Sequence, residues 1–422
     1  MTTPTTVVRT YLTLTTLSTL AASFIWGVNT LFLLDAGLSN TEAFAANAAF
    51  TAGQVLFEVP TGVVADVKGR KLSYLLGAAT LFLSTLLYLY MWQVAAPFWA
   101  WAVASAFIGL GFTFFSGAVE AWLVDALGAT GFDGELDPVF AKAQVAGGVS
   151  MLVGSVAGGF IAQATNLGVP YIVRCVFLLL TFGVAWFLMH DLGFTPAKST
   201  GPIREVRRVF NASIDNGWRK RPVRWIMLSA PFTTGVMIYA FYAMQPYLLE
   251  LHGDPNAYGI AGLAASIAAG AQIVGGLSVP IARKVFRYRT HALIAAVAIS
   301  AATLVGIGLT TSLVMAIGLV VLWGLVFAAA MPMRQAYLNG LIASEQRATV
   351  LSFDSLMGSA GGVVVQPALG RSADLWGYSA SYVIAGGIQL FAAPFLVLAR
   401  REHAPSDPVE VPVPSSENPA DG

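Results

Sequence analysis

Ionisable side chains are scarce in this sequence, and their placement decides what they can do. Five fall inside long apolar runs: Glu58, Glu120, Arg174, Arg334 and Asp354. Asp35 and Glu250 sit at the ends of such runs. Within hydrocarbon, each costs a few kcal/mol unless it is paired or hydrated. Acids and a base at such positions suit one kind of chemistry, the exchange of partners and protons. Glu120, Arg334 and Asp354 fall at similar depth, about two helical turns from one membrane face. Arg334 thus has two candidate carboxylates. Glu58 lies two turns before Asp66 and is expected to support the charged turn there. Arg174, near the end of its run, is expected to snorkel to the surface. Other chemistry is poorly provided for. No Gly-x-Ser-x-Gly, His-Glu-x-x-His or paired intramembrane aspartate pattern supports an enzyme. His190, His252, His291 and His403 offer no i, i+4 metal pair, and Cys175 stands alone, so no metal or cofactor is expected.

The densest cluster of charge and glycine between apolar runs reads Gly-x-x-x-Asp-x-x-Gly-Arg-Lys, from Gly62 through Asp66, Gly69 and Arg70 to Lys71. Gly62 removes a side chain where a helix must approach a neighbour closely. Asp66 ends a helix where its carboxylate can accept N–H bonds from the start of another. Gly69 suits a turn of positive φ. Arg70 requires a carboxylate, and Asp125 is available at the same end of a later run.

These positions need elements long enough to cross a membrane. Of 422 residues, 56% are hydrophobic and 11% charged, less than half the charge of a soluble domain. The apolar runs are about 20 residues long, the length of spanning helices and not of barrel strands. Hydropathy places twelve spans near 10–35, 41–66, 70–92, 96–126, 138–165, 169–190, 222–250, 256–283, 289–311, 313–340, 347–374 and 377–400. Of the 23 basic residues, 20 fall on one side if both termini are cytoplasmic; only Arg174, Arg334 and Arg371 do not. The expected organisation is a six-helix bundle over 1–190, a cytoplasmic linker over 191–221, a second bundle over 222–401, and a disordered tail over 402–422. In the linker, Ile203, Val206, Phe210, Ile214 and Trp218 recur at helical spacing among arginines. They predict an amphipathic helix that either lies on anionic lipid or is an ordinary linker. A net charge of +1 points to no nucleic-acid partner.

The two halves repeat. At a shift of about 215, Gly109-Leu110-x-Phe112 meets Gly324-Leu325-x-Phe327, and Glu120-Ala121-Trp122-Leu123 meets Gln335-Ala336-Tyr337-Leu338. At 211, Gly159, Ala162 and Tyr171 meet Gly370, Ala373 and Tyr382. The fold class is therefore all-α membrane protein, twelve helices in two pseudo-symmetric six-helix bundles. Parallel repeats of this kind place a substrate site at their interface near the midplane, which by itself favours a transporter.

The Gly62–Lys71 stretch resembles the loop 2–3 signature of the major facilitator superfamily of secondary transporters. Gly147-x6-Gly154-Ser155-Val156-Ala157-Gly158-Gly159 resembles the span 5 signature of its drug/proton antiporters, with Ser155 in place of a proline. Ser116-Gly117-x-x-Glu120 through Asp125, and Arg347 through Ser352, also look like bacterial efflux-type members. The arginine those antiporters carry in span 4 ahead of a Gly-x-Gly has no counterpart before Gly109. The resemblance implies that Asp66 docks on the start of span 11 while Arg70 and Asp125 complete a relay holding the halves together at the inner face. In the second half, Pro280 stands where that Asp would be. The resemblance also implies that spans 1, 4, 7 and 10 line the central cavity, which makes Trp26, Asn29, Phe112, Phe115, Tyr239, Tyr242, Gln245 and Trp323 its candidates. Aromatics with a few amides suit an apolar or amphiphilic molecule better than a sugar; helix packing is the competing reading for each.

The expected protein is a monomeric inner-membrane transporter working by alternating access among membrane lipids. It exports hydrophobic or amphiphilic small molecules against an inward flow of protons. Uptake or uniport of an amphiphilic metabolite is the alternative, and a membrane receptor or enzyme a distant one. Coupling is expected from Glu120, Arg334 and Asp354. Arg334 pairs with Glu120 when the inner gate closes and falls back on Asp354 when it opens, freeing Glu120 to carry a proton. A permanent Arg334–Asp354 pair joining spans 10 and 11 is the competing reading.

Overall fold

The computed structural model describes residues 2–196, 204, 211, 217–277, 284–343 and 346–409. The first half contains α1 (Pro4–Trp26), α2 (Asn29–Asp35), α3 (Asn40–Lys68), α4 (Arg70–Gln93), α5 (Phe98–Phe115), α6 (Ala118–Ala129), α7 (Asp137–Ala164) and α8 (Val169–Leu188). The second contains α9 (Arg221–His252), α10 (Tyr258–Leu277), α11 (Arg289–Leu309), α12 (Leu313–Asn339), α13 (Arg347–Leu390) and α14 (Ala392–Arg401). With α1–α2 and α5–α6 each taken as one broken span, and α13 divided where Gly377 leaves helical geometry at φ 80° so that its second part continues with α14 as one span, these make twelve spans among the described residues. Among the described residues all regular elements are helical, because within lipid a helix satisfies its own backbone groups. Pro60, Pro231, Pro246, Pro332 and Pro367 sit inside helices, tolerated where neighbouring helices re-satisfy the freed carbonyls.

Local sequence sets the ends. Ser39 and Glu42 form a capping box that starts α3. Gly69, at φ 112°, ends α3 and starts α4 with no residue to spare. The bend of 48° between α1 and α2 has a specific cause. In an unbroken helix the Thr30 N–H would bond to the Trp26 carbonyl. The Gln245 side chain of α9 is inserted there instead, its Oε1 accepting from Thr30 N at 2.9 Å and its Nε2 donating to Trp26 O at 2.6 Å.

The molecule has two unlike ends: the end carrying the Gly62–Lys71 turn, termed the basic end, and the far end. At the far end the halves interlock. Phe44 of α3 stands 4.7 Å, centroid to centroid, from Tyr239 and joins the buried cluster of the second half, while Leu249 and Ala261 join that of the first. Gly159 of α7 and Gly262 of α10 pack so closely that a Cβ on Gly262 would lie 2.9 Å from Gly159 Cα. Among the described residues, every hydrogen bond between the halves falls at the far end or at mid-depth, as in Ser266 Oγ to Leu152 O, 3.0 Å. Toward the basic end a crevice of about 570 Å³ opens between α1, α6 and α7 of the first half and α10 of the second.

One expectation changes here. The tail does not depart at residue 402: Asp407, 2% exposed, accepts from Thr290 N, Thr290 Oγ1 and Arg400 Nη1 at 2.8, 2.9 and 3.1 Å, so residues up to 409 lie against the second half. A buried carboxylate with three donors holds this otherwise polar segment down. The linker helix over 203–218 and the second-half counterpart of the charged turn at Gly276 and Pro280 lie largely outside the described residues.

Candidate functional site

The charged turn is wholly a first-half structure. Arg70 pairs with Asp66 one turn earlier, and its Nε lies 3.8 Å from Asp125 Oδ2. The Lys71 N–H donates to Asp191 Oδ1 at 2.8 Å. None of these bonds crosses to α13, and the Asp66 side chain is 52% exposed. Gly62 meets nothing within 4 Å of a built Cβ, so it makes no close helix approach. Among the described residues, this face of α3 has no neighbour at the open basic end. Glu58 accepts from Ser116 Oγ at 2.8 Å, which ties α3 to the α5–α6 break.

The far end carries a contact of the kind expected at the basic end. Asp374, on the last turn of α13 before its kink, accepts from the N–H groups of Asn40 and Thr41 at 2.9 Å each, and from Thr41 Oγ1. A carboxylate thus caps the first turn of α3 across the half interface, where the helix dipole favours negative charge. Tyr378 donates to Asn40 Oδ1 beside it.

Arg334 and Asp354 form a two-pronged pair with Nη2 to Oδ1 at 2.6 Å, and Nη2 also donates to Ile226 O at 3.2 Å. Asp354 is 7% exposed. Arg334 lines a cavity of about 50 Å³ inside the second half with Ser229, Thr233 and Gln389. Glu120 lies elsewhere. It stands exposed in the first turn of α6 and lines the large crevice with Tyr11, Thr15 and Gln144. Among the described residues it has no ion pair or hydrogen-bond partner.

Of the eight cavity candidates, the structure brings four together. Trp26, Asn29, Phe112 and Tyr242 line a cavity of about 40 Å³ at the interface of the halves, with Asn47, Phe50, Tyr88 and Arg174. The other four do different work. Gln245 splints the α1–α2 bend, Phe115 stacks on Tyr74 at 4.4 Å, and Tyr239 and Trp323 are buried in the second-half core. Packing claims these aromatics: Phe115 lies against Tyr74 of its own half, and Tyr239 and Trp323 lie in a buried cluster that Phe44 of the first half also joins. Arg174 overturns the snorkelling expectation. It is 1% exposed, with Nε donating to Thr85 Oγ1 at 3.1 Å and Nη1 to Ala21 O at 3.2 Å. Its helix face turns to the bundle interior, so its length carries the charge inward. The available signal was its apolar surroundings combined with the lack of a nearby carboxylate in sequence. Asn47, one of two amides in span 2 with Gln54, carried a similar signal.

The sequence profile of the Major Facilitator Superfamily matches residues 11–325 and 277–420. The chain belongs to the Major Facilitator Superfamily. Solved structures agree on the fold. Nucleoside transporter NupG superimposes with a TM-score of 0.77 at 12% identity, covering 93% of this chain and 98% of that one. A bacterial homolog to the human lysosomal transporter Spinster, inward-facing and unoccupied, gives 0.72 at 16% identity, over 97% and 99%. A D-xylose-proton symporter gives 0.65 at 16% identity, over 93% and 96%. No curated protein matches. This superfamily member is a multi-pass membrane transporter rather than an enzyme, and its substrates are small molecules.

Proposed function

We propose that this protein exports amphiphilic small molecules across a cell's inner membrane by alternating access, driven by inward proton flow. The basic end faces the cytoplasm, as the bias of basic residues requires, and the described conformation is open to that side. The observation that carries the reading is the separation of Glu120 from Arg334. With the cytoplasmic side open, Arg334 is held by Asp354, and Glu120 stands unpaired in the crevice, where it can exchange a proton with the cytoplasm. Closing this side brings spans 4 and 10 together and lets Arg334 compete for Glu120, so that proton occupancy biases the two states. The small central cavity, with indole, phenyl, phenol and amide groups from both halves, suits an amphiphile and offers too few hydroxyl partners for a sugar.

Reconstituted vesicles test this. Wild type should drive substrate flux from an imposed pH gradient and move protons in the opposite sense. Glu120→Gln should bind substrate but lose the response to the gradient. Wild-type flux in that variant, with unchanged gradient dependence, would remove Glu120 from the mechanism. Protons moving in the same direction as substrate would establish uptake instead.

A further inference from the structure

We propose that the central cavity binds the carboxylate of an amphiphilic organic anion, with Arg174 and Asn47 as the residues that hold it. The inference deepens the transport reading by naming the substrate class of the same site. Two buried arginines provide the first argument. Arg334 in the second half has the two-pronged carboxylate that a structural arginine in a membrane span requires. Arg174 in the first half is more deeply buried, and no carboxylate lies within ion-pair distance of it among the described residues. Its Nε and Nη1 meet neutral oxygens, its Cζ lies 5.8 Å from the Phe112 ring centroid, and Nη2 has no hydrogen-bond partner among the described residues, so no anion balances its charge. An uncompensated charge at such a place costs several kcal/mol. A ligand that brings the counter-charge recovers that cost only while it is bound.

The second argument is the orientation of Asn47, which is 5% exposed. Tyr171 donates to Asn29 Oδ1 at 2.9 Å, and Asn29 Nδ2 donates to Asn47 Oδ1 at 2.9 Å. This relay consumes Asn47's acceptor and leaves its Nδ2 as a second donor without a partner. Arg174 and Asn47 line the same cavity. Two vacant donors, one charged, match the two oxygens of one carboxylate. A phosphate dianion asks for more donors and more charge than this wall provides. The cavity's volume of about 40 Å³ holds a head group and not a whole ligand. The apolar body therefore has to lie along Trp26, Phe112 and Tyr242 toward the half interface. Span 1 links this site to the crevice: Thr19 lines the crevice and Ile25 the cavity, about 9 Å apart along the helix.

The full-length protein in detergent micelles should rise in melting temperature with 1-naphthylacetate, benzoate or decanoate, in the order of their apolar bodies. The corresponding carboxamides and amines should give no rise. Arg174→Met should weaken carboxylate binding at least about 10-fold, Arg174→Lys should retain part of it, and Asn47→Ala should weaken it several-fold. Because it removes an unpaired charge, Arg174→Met should not lower the melting temperature of the unliganded protein. The proposal is overturned if carboxylate and carboxamide act alike, if none of the three acids gives an Arg174-dependent shift, or if chloride alone reproduces it. Vesicles keep the two readings apart. Loss of gradient dependence with carboxylate binding intact removes the coupling scheme and leaves this site. Gradient-driven flux of neutral or cationic amphiphiles, unchanged in Arg174→Met, removes this site and leaves the coupling scheme.

Discussion

Helix α3 meets the first part of α13 from Asn40 to Thr51, and the two ends of this pair are built differently. At the far end, Asp374 of α13 reaches across and caps the start of α3. At the basic end, Asp66 of α3 does not reach α13 and is bonded to Arg70 of its own half. Each helix therefore carries an acid near its C-terminal end that is suited to the partner helix's N-terminus, and in this conformation only one is engaged. Under the proposed alternating access, rocking of the halves would close either end, and rigid helices would not close both at once. The comparison teaches that the charged turn, conspicuous in sequence, is idle here, while a lone aspartate outside any recognised motif holds the seal.

Three substitutions probe that asymmetry, and distance measurements between labels placed across each end read all of them. The largest effect is expected from Gly262→Val. Its Cβ would press on Gly159 Cα and Ser155 O, backbone atoms with little room to yield, at a cost of about 3 kcal/mol. The far-end-closed population should fall by about 100-fold relative to the far-end-open one. Unchanged far-end distances would mean that the close approach of α7 and α10 is not needed for closure. Asp374→Asn should act in the same direction but less, by about 1–2 kcal/mol, since it loses the charge and one of two acceptors at the α3 N-terminus. An unaltered population would reduce Asp374 to a surface residue. Asp66→Asn should have the smallest effect on the present state, below about 1 kcal/mol, because it breaks an exposed pair one turn apart. If Asp66 caps α13 when the basic end closes, the variant should favour the far-end-closed state further. A shift the other way would exclude that role.

The interior arginines show where the sequence was legible and where it was not. Arg334 had Asp354 within reach along neighbouring spans, and one of the two readings open for it is the pair present in this conformation. Arg174 had no partner to find, and its place near a helix end made the surface the default. Phe115 and Tyr239 share helices with Phe112 and Tyr242, which line the cavity, but a helix has several faces. A run apolar on all sides does not say which face meets the other half. Gln245 could not be assigned at all without the bend in span 1 that it occupies.

Sequence by itself determined what chain-local physics controls. Apolar runs of spanning length forced helices, because lipid offers the backbone no other partner. The repeat divided them into two bundles. The Gly69 turn was readable because it depends on a few adjacent residues. Tertiary structure alone decided which end is shut, which acid is engaged and which donors are left vacant. Those outcomes depend on how two bundles, joined by a long linker, lean on one another. Such contacts join residues far apart in the chain, so no local residue pattern specifies them.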